Sequence, residues 1–216
     1  MKIYSLFAAG LAGLFLAGCD IDTGVRGSGT VVTVQRPVED FTELSARGGI
    51  RIEWRTGSPS LSITTDDNLV ELFETKVVKN RLDMRTRERA RPTHGIKVAV
   101  TSSNLNGAKL SGAADLAAHG VSGKVFAVES AGATSITLEG TVDELLADMT
   151  GASELKAKAL QAKSVGISTT GASDAWVTAT EKLRVAITGA GDVTYSGNPP
   201  VIEKKVTGAG SIRHKD

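Results

Sequence analysis

The chain has a single cysteine, Cys19, in 216 residues. No disulfide can form within it, so its fold is held by packing and hydrogen bonds alone. Aromatic residues make up only 4% and proline occupies 5 positions, while glycine occupies 24. A core of bulky rings is excluded, and the abundant Gly, Ala, Ser, Thr and Val suit thin, repetitive β-structure. The three histidines, His94, His119 and His214, lie on distant segments without ligand spacing, which argues against a zinc centre. There is no nucleophile elbow and no phosphate loop, because no helix start follows the glycine-rich segments. The sequence therefore points to no catalytic residue, no cofactor and no metal.

Charge of one sign is missing as well. The whole chain has 25 basic and 24 acidic residues. Removing residues 1–18 takes one lysine away and leaves 24 of each. A neutral chain exerts no global attraction on nucleic acid or anionic lipid.

The N-terminus has a recognisable design. Lys2 supplies a positive start and Ile3–Leu16 an apolar run too short for an ordinary membrane span. The run ends in small residues, which is the anatomy of a secretory signal. Leu16-Ala17-Gly18-Cys19 resembles a bacterial lipobox, whose cysteine receives lipid and becomes the first mature residue. This implies a signal peptide over residues 1–18 and a membrane attachment through acyl chains (palmitate among them) on Cys19. Multiple chains anchor stably where one is marginal. Asp20 resembles an inner-membrane retention signal. The expected location is the cell envelope, at the periplasmic face of either membrane or at the cell surface. Residues 19–29 read as the lipidated start and a polar tether, and residues 30–216 as the folded domain.

Within that domain one short corner returns six times: SGAAD, AGATS, TGASE, TGASD, TGAGD and TGAGS. Its glycines are Gly112, Gly132, Gly151, Gly171, Gly189 and Gly208, in steps of 18 to 20 residues. A near-fixed period of this length means a coil stacked on itself. Positions six, four and two before each glycine are mostly apolar, as in Leu145, Ala147, Met149 and Leu183, Val185, Ile187. Positions four and six after it behave alike, as in Ile136, Leu138 and Ala175, Val177. Intervening positions are mixed to polar. This is period-two alternation with one face in and one out. Each repeat reads as strand, tight corner, strand and a looser turn at Gly120, Gly140 or Gly197. The alanine after each corner glycine is expected to pack on the alanines above and below. The fold class is all-β: a parallel β-helix, or β-solenoid, with coils of about 19 residues.

Before the repeat, strands are expected at Val31–Val34, Ile50–Trp54, Leu61–Thr65, Arg81–Met84 and Ile96–Val100. Leu69–Val78 is ambiguous: Leu69, Leu72, Phe73 and Lys76 fit a helical face, whereas Thr75–Val78 fits a strand.

Gly27–Val31, Val38–Phe41, Leu44–Trp54 before the Gly57–Pro59 turn, Leu61–Leu69, Ile96–Leu105 and the Gly-Ala corners complete a pattern. It resembles the putative auto-transporter adhesin, head GIN domain family over about residues 28–216. The resemblance implies a right-handed parallel β-helix in the envelope, with an adhesion or binding role and no established enzymatic activity. The chain is far shorter than a true autotransporter and shows no translocator barrel segment at its C-terminus.

Several side chains are candidates for binding. Arg81, Arg85, Arg87, Arg89 and Arg91 form a basic run, of which Arg85, Arg87 and Arg89 could grip sugar carboxylates, phosphates or headgroups. A solvated strand and loop is the plainer reading. Trp176 is expected to face outward beside Lys156 and Thr194, where it could stack on a sugar ring. The corner carboxylates Asp115, Glu154, Asp174 and Asp192 invite comparison with calcium turns. Those repeats are nonapeptides, however, and Ser135 and Ser211 interrupt the ladder, so turn-capping is favoured. The chain ends part-way through a coil at Ile212–Asp216. An uncovered coil end exposes ladder groups, and a charged ending opposes end-to-end stacking, so both a monomer and an oligomer are compatible with the sequence. The leading reading is a non-enzymatic envelope solenoid with a binding or structural role, whose partner is a glycan or an envelope protein. The alternative is a polysaccharide-active lyase or hydrolase, which needs acids and bases converging in a cleft. A third, an envelope-sensing partner, has no residue to support it.

Overall fold

A computed structural model describes residues 24–215. Cys19 and the signal segment lie outside the described residues. The N-terminal part runs through β1 (Val25–Arg26), β2 (Val31–Arg36), β3 (Glu43–Arg47), β4 (Ile50–Thr56) and β5 (Ser60–Asp66). A 3-10 helix over Asp67–Leu72 follows, then β6 (Phe73–Val78), β7 (Arg81–Thr86), β8 (Ala90–Arg91) and β9 (Ile96–Ser102). The repeat region contains β10 (Gly107–Gly112), β11 (Asp115–Gly132), β12 (Ser135–Gly151), β13 (Glu154–Gly171), β14 (Asp174–Gly189), β15 (Asp192–Ser196), β16 (Val201–Gly208) and β17 (Ser211–His214). Its stacked parallel coils form a β-solenoid of about 5 turns.

The stacking register follows the glycine count. Gly112 lies on Gly132, Gly132 on Gly151, Gly151 on Gly171, Gly171 on Gly189 and Gly189 on Gly208. The reason is visible at Gly151. Its φ is +105°, which side chains disfavour, and an added Cβ would stand 2.6 Å from the Gly132 carbonyl oxygen. That oxygen accepts the N–H of Ala152 at 2.9 Å. The hydrogen bond that joins two coils therefore occupies the space a side chain would need.

Inward positions of the full coils are buried, among them Phe126, Val128, Leu145, Met149, Val165, Ile167, Leu183 and Ile187. Three buried hydroxyls of the repeat region, on Ser130, Thr134 and Thr169, have no hydrogen-bond partner among the described residues. The corner alanines differ from expectation: Ala113, Ala133, Ala152 and Ala172 are exposed. The residue after each is the buried one, namely Ala114, Thr134, Ser153 and Ser173. Alternation counted back from Leu116 or Leu155 puts that residue inside and the alanine outside.

In the last coil, Ile202 and Val206 face inward yet are 43% and 42% exposed. Among the described strands, β16 pairs with β14 alone, so nothing shields this side of the core.

The N-terminal end is built differently. β3 and β4 join the parallel stack, pairing with β10 and β11. β2–β5, β5–β9 and β6–β7 are antiparallel. The ambiguous segment divides: its first part is the 3-10 helix, which buries Leu69 and Val70, and its second is β6, which starts at buried Phe73. The β6–β7 turn uses Lys79 and Asn80 at φ 50° and 63°, the left-handed values of a tight hairpin turn.

Gly151→Ala should combine backbone strain with a clash and cost at least about 2 kcal/mol. For a chain of this size that lowers Tm by about 4–8 °C. Gly49 has neither a left-handed φ nor an atom within 4 Å of an added Cβ. Gly49→Ala should leave thermal unfolding unchanged, and equal losses in both variants would contradict the stacked-carbonyl account.

Candidate functional site

The arginine run does not act as one patch. β7 pairs antiparallel with β6, which sets Glu74 opposite Arg85. Arg85 Nε donates to Glu74 Oε2 at 2.9 Å, and Arg87 Nε donates to Oε1 at 2.5 Å. These guanidinium groups, Arg87 first, hold the Glu74 carboxyl below its ordinary value, and Glu74 in turn raises Arg87. Arg81 Nε donates to Asp83 at 2.9 Å.

The pairs sit in a groove of about 1030 Å³ across β6, β7, β3 and β10. Seven basic side chains line it: Arg36, Arg47, Lys76, Arg81, Arg85, Arg87 and Lys109. The three lining carboxylates are Glu71, Glu74 and Asp83, which leaves a surplus of four positive charges. Arg36 is a brace, donating to the Val70 and Phe73 carbonyls at 2.6 and 2.5 Å. Lys109 pairs with Glu129 across adjacent coils at 2.5 Å. Arg47 stands beside Arg85 because β3 and β7 are parallel neighbours. Linear reading missed Arg47, Lys76 and Lys109, since only strand pairing brings them together.

Arg89 lies outside this lining, on the segment between β7 and β8. Its carbonyl accepts the Val25 N–H at 2.7 Å, and that of Arg91 accepts Gly27 at 2.9 Å. Residues 24–29 are thereby laid along this loop. Asp66, fully buried, completes the attachment. One oxygen accepts Gly29 N–H at 2.8 Å and Thr93 hydroxyl at 2.7 Å, and the other accepts Thr93 N–H at 2.8 Å. The Thr93 hydroxyl is the main cause of a lowered Asp66 pKa, outweighing the opposing effect of burial.

Trp176 faces outward between Lys156 and Thr194 in the coil ladder and is 36% exposed. Arg213 is the next rung after Thr194. The other tryptophan, Trp54, is fully buried and donates from Nε1 to Ser102 Oγ at 2.8 Å.

Two of the four corner carboxylates cap the next coil, whereas Asp115 pairs with Arg51 at 3.6 Å and Glu154 with Lys156 at 2.7 Å. Asp174 accepts the Asp192 N–H at 2.9 Å, and Asp192 accepts the Ser211 N–H at 3.0 Å and its hydroxyl at 2.6 Å. No group of three or more His, Cys, Asp or Glu among the described residues is placed to hold a metal ion. His119 pairs with Glu139 at 2.8 Å, whereas His94 and His214 have other neighbours.

Residues 40–199 match the family model described as putative auto-transporter adhesin, head GIN domain. The chain belongs to this family. Comparison with curated proteins finds none that matches. Several solved structures share the fold. A putative adhesin from Bacteroides fragilis is 24% identical with a TM-score of 0.73, over 89% of this chain and 100% of that one. A putative adhesin from Parabacteroides distasonis is 20% identical with a TM-score of 0.64, over 89% and 100%. A putative lipid binding protein from the same species is 23% identical with a TM-score of 0.52, over 89% and 99%. The head GIN match includes Arg85, Arg87 and Trp176, whereas Arg213 lies beyond it.

The Asp66 attachment makes a pH prediction. A carboxyl with a depressed folded pKa adds stability that is fully present above its ordinary value and is lost as pH falls through the lower folded one. Asp66→Ala should therefore be less stable than the parent at neutral pH. The gap should narrow below about pH 4 in urea unfolding. A gap that widens with acid would contradict the assignment.

Proposed function

We propose that this chain is a non-enzymatic, lipid-anchored binding protein of the cell envelope, whose solenoid carries a groove for anionic groups near the anchored end. The surplus of positive charge in the β6–β7–β3 groove carries this reading. Ion pairs to Glu74 and Asp83 hold Arg85, Arg87 and Arg81 in place before any ligand arrives. Their remaining N–H groups present a pre-set fork to carboxylate or phosphate. No ion pair within the described residues engages Arg47 or Lys76. Family membership and the adhesin and lipid-binding names of the structural relatives agree with a binding role.

The lipid completes the reading. Residues 24–29 are laid along the loop that follows groove-lining Arg87, so acyl chains on Cys19 would hold that end of the solenoid close to the bilayer. A polysaccharide-active enzyme is disfavoured by Glu74: two arginines keep it ionised, the reverse of what a general acid needs.

Cys19→Ser should abolish incorporation of labelled palmitate and move the protein from the membrane to the soluble fraction. An unchanged distribution would remove the anchor. For the groove, the purified protein with its acyl chains removed should bind phosphatidylglycerol vesicles or polygalacturonate, and binding should fall steeply with salt. The double variant Arg47→Ser, Lys76→Ser should weaken that binding at least about fivefold, as expected for losing two charge contacts. Equal binding of phosphatidylcholine vesicles or dextran would refute the groove. Depolymerisation of the polygalacturonate would replace it with the enzymatic reading.

A further inference from the structure

At the other end of the solenoid, Trp176 forms the floor of a second, smaller basin of about 440 Å³. This is within the range of small-ligand sites, roughly 300–1,000 Å³. Lys158, Arg213, Lys215 and Thr194 line it with Trp176, and none of the lining residues is acidic. Arg213 reaches Asp192 only at 3.9 Å, and its side chain is 69% exposed. Lys158 and Lys215 have no ion pair within the described residues. Three cations thus line the basin with an exposed aromatic face, and among the described residues only Arg213 has an ion-pair partner.

The wall of this basin is built into the fold. β17 pairs with β15, which fixes Arg213 on Thr194. His214 stacks on the Tyr195 ring at 4.8 Å. The Lys215 N–H donates to the Tyr195 carbonyl at 2.9 Å, and its carbonyl accepts Ser196 hydroxyl at 2.7 Å. The backbone that carries the cations is held on both sides of the lysine.

We propose that this basin is a subsite for one acidic sugar residue, such as a uronate, within a glycan chain. The apolar face of a pyranose ring covers the indole, as sugar C–H groups do on an exposed aromatic. The ring carboxylate is within reach of Arg213, whose planar guanidinium suits it, with Lys158 and Lys215 adding charge. The Thr194 hydroxyl lies where a sugar hydroxyl can bond to it. A phosphorylated lipid headgroup would use the cations but would leave the indole face idle, so the pairing of ring and charge favours the acidic sugar.

The two tryptophans make the test selective. Trp54 is buried and serves as a constant background, so a change in emission or acrylamide quenching reports Trp176. The protein with its acyl chains removed is titrated, without detergent, with hexagalacturonate, cellohexaose and phosphatidylglycerol vesicles. Hexagalacturonate should alter the emission saturably and shield Trp176 from quencher, with little response to cellohexaose. With the groove removed by Arg47→Ser, Lys76→Ser, adding Trp176→Ala should weaken hexagalacturonate binding, measured by calorimetry, about fivefold to tenfold. Arg213→Ser, a surface change that spares the fold, should do so about fivefold. The groove variant Arg47→Ser, Lys76→Ser should leave the emission response intact, which separates this site from the one proposed above. No emission change at millimolar hexagalacturonate, an equal response to cellohexaose, or a response to the vesicles alone would each overturn the proposal.

Discussion

The repeat region rests on one hydrogen bond, repeated coil after coil: an alanine N–H donating to the glycine carbonyl one coil below, at 2.8 to 2.9 Å. Backbone pairing fixes the spacing of coils, and that spacing brings the carbonyl up against the next glycine's α-carbon. The tight corner, the strand register and the alternation of faces follow from it. Once Gly132 sits beneath Gly151, Phe126 must sit beneath Leu145, and Gly112 beneath Gly132 likewise sets Ala117 beside Thr137. A core of small and medium aliphatic side chains then fills itself, with no disulfide and few rings.

That logic made the repeat region readable. Glycines at steps of 18 to 20 residues announced the coils, and counting from them placed Leu145, Val165 and Leu183 inside. The same count, carried through the corner, would have placed Ala152 outside and Ser153 inside. The expectation of packed alanines came from residue size and neglected parity. Ile202 and Val206 obey parity but are uncovered, because burial also needs a neighbour that alternation alone cannot supply. The antiparallel N-terminal end was less legible, since its pairings join unlike segments at irregular separations. Its clearest local signal was Lys79-Asn80, where asparagine tolerates left-handed backbone and β6 could turn into β7.

The candidate sites divide in the same way. Trp176 beside Thr194, with Arg213 one rung on, lies along the ladder and can be found by adding a period to a residue number. The groove cannot. Arg47 and Arg85 are neighbours only because β3 pairs with β7, and Glu74 reaches Arg85 and Arg87 only through a hairpin. A run of arginines reads as an uninterrupted patch until its acid partner is placed. With Glu74 in position, the run becomes two braced forks in the groove and a loop, from Arg89 onward, that carries the N-terminal strand β1.

The two halves also differ in how far along the chain their contacts reach. β3 meets β10 and β4 meets β11 across more than sixty positions, as in Glu43 with Gly107 and Arg51 with Asp115. From β11 onward each strand meets the one about a coil earlier. Closing the first part carries the entropy of a large loop, whereas each later coil closes a loop of only one repeat. The later coils can therefore form quickly from any of their neighbours, while the N-terminal end is the slow part of assembly.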